Sequence, residues 1–298
     1  MGPTASGKSA LALHVAARLP GVEIVSIDSM QVYRGMDVGT AKPSAADRRA
    51  VPHHLIDLAD PSESFSLGRF QAAAAETLSA IEGRGNRALL VGGTGLYFQA
   101  VVDGLTVPGA WPELRQELEV EAAMPAGVGA LYERLARADP PAAARIEPAN
   151  VRRIVRALEV TLGSGRPFSS FGPGMSAFPP TRFRLAGLWL SRAVVAGRIA
   201  DRYGSQLAAG FLDEVRELAR RPAGLSRTAR QALGYRELLD HVAGNCGLDE
   251  AVEAAVRRTR ELARRQRMWF RRDPRIVWFG AAANPFAVLP ALLGHWEG

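Results

Sequence analysis

Strand-like and helix-like segments alternate along most of the sequence, which predicts an α/β protein: a parallel sheet with helices on both faces. Three observations carry that expectation. Gly2–Ser9 reads GPTASGKS, the G-x-x-x-x-G-K-[ST] pattern of a phosphate-binding loop opening a helix. Apolar runs ending at Asp28 and at Gly92-Gly93 read as buried parallel strands, each followed by helical pattern. Between Pro112 and Phe178 strand signals vanish, and helical segments with Pro and Gly punctuation take over.

Each element has a local reason. Lys8–Leu19 places Leu11, Val15 and Leu19 one turn apart and stops at Pro20-Gly21, so it reads as a helix. VEIVSID (Val22–Asp28) is a buried strand ending in a carboxylate. Ser66–Ile81 is an Ala-rich helix with Ser66 as N-cap and Gly83 just past its end. Ala88–Val91 is a strand, followed by a glycine turn and a new helix. The helical stretch includes NVRRIVRALEV and ends in the loop GSGRPFSSFGPGMSAFPP. Phe183–Leu190 returns to strand, Ser191 caps a long helix reaching Arg220, and RQALGYREL opens another. Asp249–Arg272 is the longest helix and Arg275–Gly280 the last strand. The expected organisation is a P-loop NTPase-like core of residues 1–111 and 179–298, with a helical insertion at 112–178.

A phosphate loop follows a central strand in this fold class, yet only Met1 precedes the motif. The expectation is a start codon assigned too late, with roughly ten more residues upstream, mostly β-branched or leucine. Without them the loop is poorly held.

Composition excludes several classes. No apolar run is long enough to span a membrane, and the single cysteine, Cys246, excludes an internal disulfide and any cysteine-based zinc site. The chain reads as cytoplasmic, with a monomer as the default expectation. Charge is divided unevenly. Residues 1–150 hold 13 Lys and Arg against 17 Asp and Glu, whereas residues 151–298 hold 24 against 13. The second half is therefore the side expected to meet a polyanion, a solvated surface being the plain alternative. Of 37 basic residues only Lys8 and Lys42 are lysine, which marks both as positions where a guanidinium does not serve.

The loop's glycines let backbone N–H groups converge on phosphate oxygens, Lys8 adds a point charge, and the Ser9 hydroxyl suits Mg²⁺. This grip fits ATP and other diphosphates alike. Asp28, about twenty residues on, suits either a general base or a Walker-B-like metal ligand. Thr94 in GGTG is open to a helix-capping role. Arg198 and Arg202 could be a solvated stripe near Asp201 and Glu214. His53-His54 reads as structural. Arg257, Arg260, Arg264, Arg267 and Arg271 fall on one predicted helical face, with Val252, Val256, Thr259, Ala263 and Phe270 on another.

SIDSMQVYRGMDVGTAKP, VPHHLID, LVGGTGLY, RRIVRALEV, GRIADRYGSQLAAGFLDEV, QALGYRE and TRELARRQRMWFRR, in that order, closely resemble the tRNA dimethylallyltransferases (tRNA isopentenyltransferases) over nearly the whole chain. The resemblance implies transfer of a prenyl group from dimethylallyl diphosphate to N6 of the adenosine 3′ to the anticodon, in the tRNA anticodon stem-loop. It implies that Gly2, Pro3, Thr4, Ala5, Ser6, Gly7, Lys8 and Ser9 grip the diphosphate with Mg²⁺ on Ser9. It makes Asp28 the general base, with Thr4 and Arg202 catalytic and Arg202 and Arg198 on the leaving diphosphate. Asp28, Ser29, Met30 and Gln31, with Thr94, fall on segments that contact tRNA in the family. So do Arg152, Arg153, Ile154, Val155 and Arg156, and Gln231, Ala232, Leu233, Gly234, Tyr235 and Arg236. With one cysteine in this sequence, the resemblance is expected to be to the shorter bacterial form, without the C-terminal zinc finger of eukaryotic members; Ser9 stands where threonine is frequent, keeping the hydroxyl. The rivals are an adenylate isopentenyltransferase, a small-molecule P-loop kinase and a non-catalytic RNA-binding protein.

Overall fold

The computed structural model describes residues 1–172 and 174–297. It divides the chain into two compact units, Met1–Val102 with Pro180 onward, and Asp103–Pro179.

The first unit opens with α1 (Lys8–Ala16), β1 (Val22–Ile27), α2 (Ala45–Ala50) and β2 (His53–His54), then α3 (Leu67–Gly83), β3 (Arg87–Gly92) and α4 (Gly95–Val102). β1 is Val/Ile-rich and buried at all six positions, as a strand with neighbours on both edges must be. It runs parallel to β2 (Ile24 opposite His53) and to β3 (Ile24 opposite Leu89). Ser66 caps α3 by accepting the Arg69 N–H at 3.2 Å, as the sequence predicts. Side chains of Val25, Ile27, Tyr33, Phe70 and Ile81 are fully buried between these layers. Val25, Ile27, Phe70 and Ile81 are each worth about 1.5–3 kcal/mol of burial.

The second unit holds α5 (Pro112–Ala123), α6 (Gly127–Ala138), α7 (Pro140–Ala143) and α8 (Val151–Ser164) around Leu118, Leu131, Leu135, Ile154 and Leu158. Residues 103–111 belong with it, ahead of the expected boundary at 112. The buried Glu159 carboxylate accepts the Trp111 N–H at 2.9 Å, and Arg156 donates to the Pro108 carbonyl at 3.0 Å. The sequence pattern could not show this, because the segment has no regular structure of its own.

The chain re-enters the first unit with β4 (Ala186–Trp189), α9 (Arg192–Ala208), α10 (Phe211–Ala219), α11 (Arg227–Arg230), α12 (Tyr235–Val242), α13 (Leu248–Phe270), β5 (Val277–Gly280) and α14 (Leu289–Glu297). Ser191 caps α9 as expected. The single helix predicted from Ser191 to Arg220 is instead two, because Gly210 adopts φ 92° and turns the chain. β4 and β5 pair in parallel, but they form a separate two-stranded sheet from β2-β1-β3. No helix among the described residues is long and apolar enough to cross a membrane.

Candidate active site

Gly2–Ser9 curls at the start of α1, with Ala5 (φ 59°) and Gly7 (φ 88°) in the left-handed region. No side chain caps α1, so its first N–H groups stay open to an anion. The Lys8 ammonium reaches back over the loop to the Pro3 carbonyl at 3.3 Å. Desolvation lowers its pKa to about 8, opposed by the nearby Asp28 carboxylate and reinforced by Arg202. A cation held at this cost is answered by an arriving phosphate. Gly2, Pro3 and Ser6 are buried and can act only through the backbone, while Thr4, Ala5, Gly7, Lys8 and Ser9 remain reachable.

Two arginines of α9 close the loop from the side. Arg202 Nη1 donates to Thr4 Oγ1 at 3.0 Å, and Arg198 donates to the Ser6 carbonyl (3.4 Å) and the Ala283 carbonyl (2.8 Å). Spacing of one helical turn puts both on the same face. They point at the loop and do not form a solvated stripe.

Asp28 follows β1 directly, at the carboxyl end of the sheet where an open α/β fold binds ligands. Its Oδ1 accepts the Met30 N–H at 2.8 Å and the Gln31 N–H at 3.3 Å, so the carboxylate is fixed by its own turn. Thr94, at the end of β3, spends its hydroxyl on the Ser29 N–H (3.2 Å), tying the two strand ends together. Gln31 is committed inside the fold: its amide donates to the Thr40 and Ala41 carbonyls (3.1 and 3.2 Å) and accepts from Ser26 (2.8 Å).

Four residues outside the sequence-derived set hold this arrangement. Gln266 of α13 accepts the Thr4 N–H at 2.7 Å and donates to the Gly93 carbonyl at 3.0 Å. Glu214 of α10 accepts the N–H groups of Asp37 and Val38, both at 2.8 Å, and the Tyr235 hydroxyl at 2.6 Å. Gln206 donates to the Val38 carbonyl at 2.6 Å. The Lys42 side chain, 2% exposed, donates to Asp37 and Asp57, both at 2.6 Å, and to the Tyr33 carbonyl. Three acceptors converging on one point suit a compact ammonium and explain why lysine stands here. Lysine rarity was a usable signal for Lys42; nothing in the sequence singled out Gln266 or Gln206.

The segments implied to meet tRNA are only partly available. On α8, Arg152 and Arg153 are exposed, Arg156 pairs with Glu159 at 2.9 Å, and Ile154 and Val155 are buried in their unit's core. Gln231 and Arg236 are exposed and Leu233 half-buried. Ala232, Gly234 and Tyr235 are buried. Burial, helped by the Glu214 carboxylate, pushes the Tyr235 phenol far above its ordinary value. Side-chain contact therefore falls to the exposed members. Along α13, Arg257, Arg260, Arg264 and Arg271 are exposed, but Arg267 is buried and leaves the expected stripe. It sits one turn beyond Ala263 on the packed face, donates to the Leu190 carbonyl at 2.6 Å and stacks 4.3 Å over Trp189. Val252 and Val256 are only half-buried, because the packed face runs through Ala251, Ala255, Thr259 and Ala263. His53 and His54 are structural, on the Val51 carbonyl and the Glu23 carboxylate.

Among the described residues no group of three or more His, Cys, Asp and Glu side chains could hold a metal ion. Ser9 lies exposed at the second position of α1. This donor set fits a Mg²⁺ ion carried mainly on diphosphate oxygens and water, with the Ser9 hydroxyl as a protein ligand.

The family model described as IPP transferase matches residues 31–273. A tRNA dimethylallyltransferase of Geobacter metallireducens is 45% identical over 99% of this chain and 96% of its own length. One from Methylococcus capsulatus is 49% identical over 93% and 90%. The solved tRNA isopentenylpyrophosphate transferase of Bacillus halodurans superimposes with TM-score 0.70 at 39% identity, covering 99% of this chain and 95% of that one. With the phosphate loop, Asp28 and Arg202 brought to the same end of the sheet, the chain belongs to the IPP transferase family.

Proposed function

We propose that this protein transfers a dimethylallyl group from dimethylallyl diphosphate to N6 of the adenosine on the 3′ side of a tRNA anticodon. The observation that carries the reading is the electrostatic meeting of Lys8, Arg202 and Asp28, with Arg202 bonded to Thr4 of the phosphate loop. The cations and open α1 amides take up the negative charge that develops on diphosphate as the allylic carbon–oxygen bond breaks. The exocyclic nitrogen forms the new C–N bond, and its proton passes to Asp28. Oδ1 of Asp28 is held by two backbone N–H groups, which leaves Oδ2 for that proton. Bound Mg²⁺ would supply further charge neutralisation on the diphosphate, with Ser9 as its ligand. The target base must leave its stack to reach this buried centre. The exposed arginines of α13 and α8 supply the phosphate-backbone contacts that position the stem-loop.

Replacing Asp28 by Asn tests the assignment. Single-turnover transfer to unmodified tRNA should fall by about 10²–10⁴-fold, the usual range for removing a general base, with tRNA and diphosphate binding retained. Turnover that survives while tRNA affinity is lost would contradict the base role.

A further inference from the structure

The turn that presents Asp28 is braced from elsewhere in the fold. Gln31, whose N–H donates to Asp28 Oδ1 at 3.3 Å, is gripped at both ends of its side chain. Ser26 of β1 donates to its Oε1 at 2.8 Å, and its Nε2 donates to the Thr40 and Ala41 carbonyls at 3.1 and 3.2 Å. The place of Gln31, and with it the set of the Asp28 turn, therefore follows the place of the loop at 36–41.

That loop lies outside helix and strand, and its shape is imposed by α9, α10 and α12. Glu214 of α10 accepts the N–H groups of three successive residues: Asp37 and Val38 at 2.8 Å on Oε2, and Gly39 at 3.3 Å on Oε1. Gln206 of α9 donates to the Val38 and Gly39 carbonyls at 2.6 and 3.1 Å. Val38 and Gly39 are thus held by both their N–H and their C=O groups. The Phe211 and Tyr235 rings, edge to face at 4.9 Å, lie directly against this backbone. A Cβ on Gly39 would fall 2.2 Å from Phe211 and 2.5 Å from Tyr235, so glycine is what lets the loop seat on them. The hydroxyl of the fully buried Tyr235 then donates to Glu214 Oε1 at 2.6 Å. A carboxylate met by charge-assisted donors on both oxygens is held in one orientation.

We infer that Glu214 and Tyr235 are positioning residues for the general base. The Tyr235 hydroxyl fixes the Glu214 carboxylate, the carboxylate fixes the loop, and the loop's carbonyls fix Gln31 beside Asp28. This rests on the base role proposed for Asp28. Loosening the series of contacts misdirects the carboxylate toward the substrate nitrogen and removes no group that binds tRNA, because Tyr235 is sealed from solvent.

The test begins with Tyr235→Phe, which removes one donor and keeps the ring against Gly39. Single-turnover transfer at saturating tRNA and dimethylallyl diphosphate should slow about tenfold, with Kd for tRNA unchanged within about twofold. In an Asp28→Asn background the same substitution should alter the residual rate by less than about twofold, because the group it aims is gone. Tyr235→Phe combined with Gln31→Ala should be no slower than the slower single variant, and this pair decides if the Asp28→Asn residual rate is below detection. Equal fold-losses from Tyr235→Phe with and without Asp28, additive losses with Gln31→Ala, or a lowered Tm with an unchanged rate would each overturn the inference. Wild-type turnover in Asp28→Asn alone is a separate result: it overturns the base role and this inference with it. If Tyr235→Phe does not fold, Glu214→Gln, which keeps an acceptor for the Asp37 and Val38 N–H groups and loses the one for Gly39, is read in the same way.

Discussion

Gln266 Oε1 accepts the Thr4 backbone N–H at 2.7 Å, linking the long helix α13 to the phosphate loop across 262 residues of sequence. Its Nε2 donates to the Gly93 carbonyl in the turn after β3, so one carboxamide holds the loop and the Thr94 turn in register. Gln266→Ala, which removes both of these partly buried hydrogen bonds, should leave tRNA binding intact and lower kcat/KM by about tenfold through lost positioning. Gln266→Glu, which keeps the acceptor and loses the donor, should fall between the two. Steady-state kinetics with pyrophosphate inhibition constants for each variant check this; unchanged constants in Gln266→Ala would remove the positioning role.

Arg202 and Arg198 are expected to separate. Arg202 bonds the Thr4 hydroxyl and lies near Asp28, whereas Arg198 bonds two backbone carbonyls. Arg202→Ala should cost about 10²–10³-fold in turnover, and Arg198→Ala less than Arg202→Ala with a drop in Tm. Rapid-quench transfer assays and thermal melts on both variants decide it.

Lys42 answers two carboxylates and a carbonyl from a nearly sealed position. Lys42→Met leaves Asp37, more than half exposed, to solvent and Asp57 to Arg48 alone, and should destabilise the first unit by about 1–3 kcal/mol. Lys42→Arg should also destabilise, because a planar fork cannot meet three acceptors arranged around one point. Urea unfolding of the purified variants reads the difference.

Acid sensitivity should run partly through Glu23. Burial works to raise its pKa, but hydrogen bonds from Arg84, Asn86 and His54 outweigh it and hold the carboxyl at about 2. Its contribution to stability is present above the ordinary carboxylate range near 4.5 and is lost as pH falls toward about 2. Glu23→Gln should lower Tm at neutral pH and flatten the decline between those values. Melting curves from pH 7 to pH 2 on both proteins provide the comparison.

The arginines of α13 should divide by burial. Replacing exposed Arg260 or Arg264 by Gln should weaken binding to any tRNA and reduce the salt slope by about one unit each. Arg267→Gln, which removes a buried carbonyl contact and a stack on Trp189, should lower Tm and leave the salt slope unchanged. Filter binding across a salt series tests both statements.

Much of this was legible in the sequence because local rules sufficed. The G-x-x-x-x-G-K-S spacing, the capping serines 66 and 191 and the β-branched run before Asp28 each specify their own geometry. What sequence could not show depends on distant partners. Gln266 and Glu214 look like ordinary helix-surface residues until α13 and α10 are docked beside the loops they hold. Arg267 fits a helical stripe by counting alone, and only the Leu190 carbonyl and Trp189 ring make its burial possible. Gly210 lay within a helical pattern, and its left-handed conformation splits the predicted helix.

The most direct measurement offers labelled dimethylallyl diphosphate and Mg²⁺ with unmodified tRNA, AMP and ATP as separate acceptors, followed by nucleoside analysis of any labelled product. Label in tRNA alone, on N6 of the adenosine beside the anticodon, is the predicted result. Label in AMP or ATP, or none in tRNA from folded protein, would contradict the account.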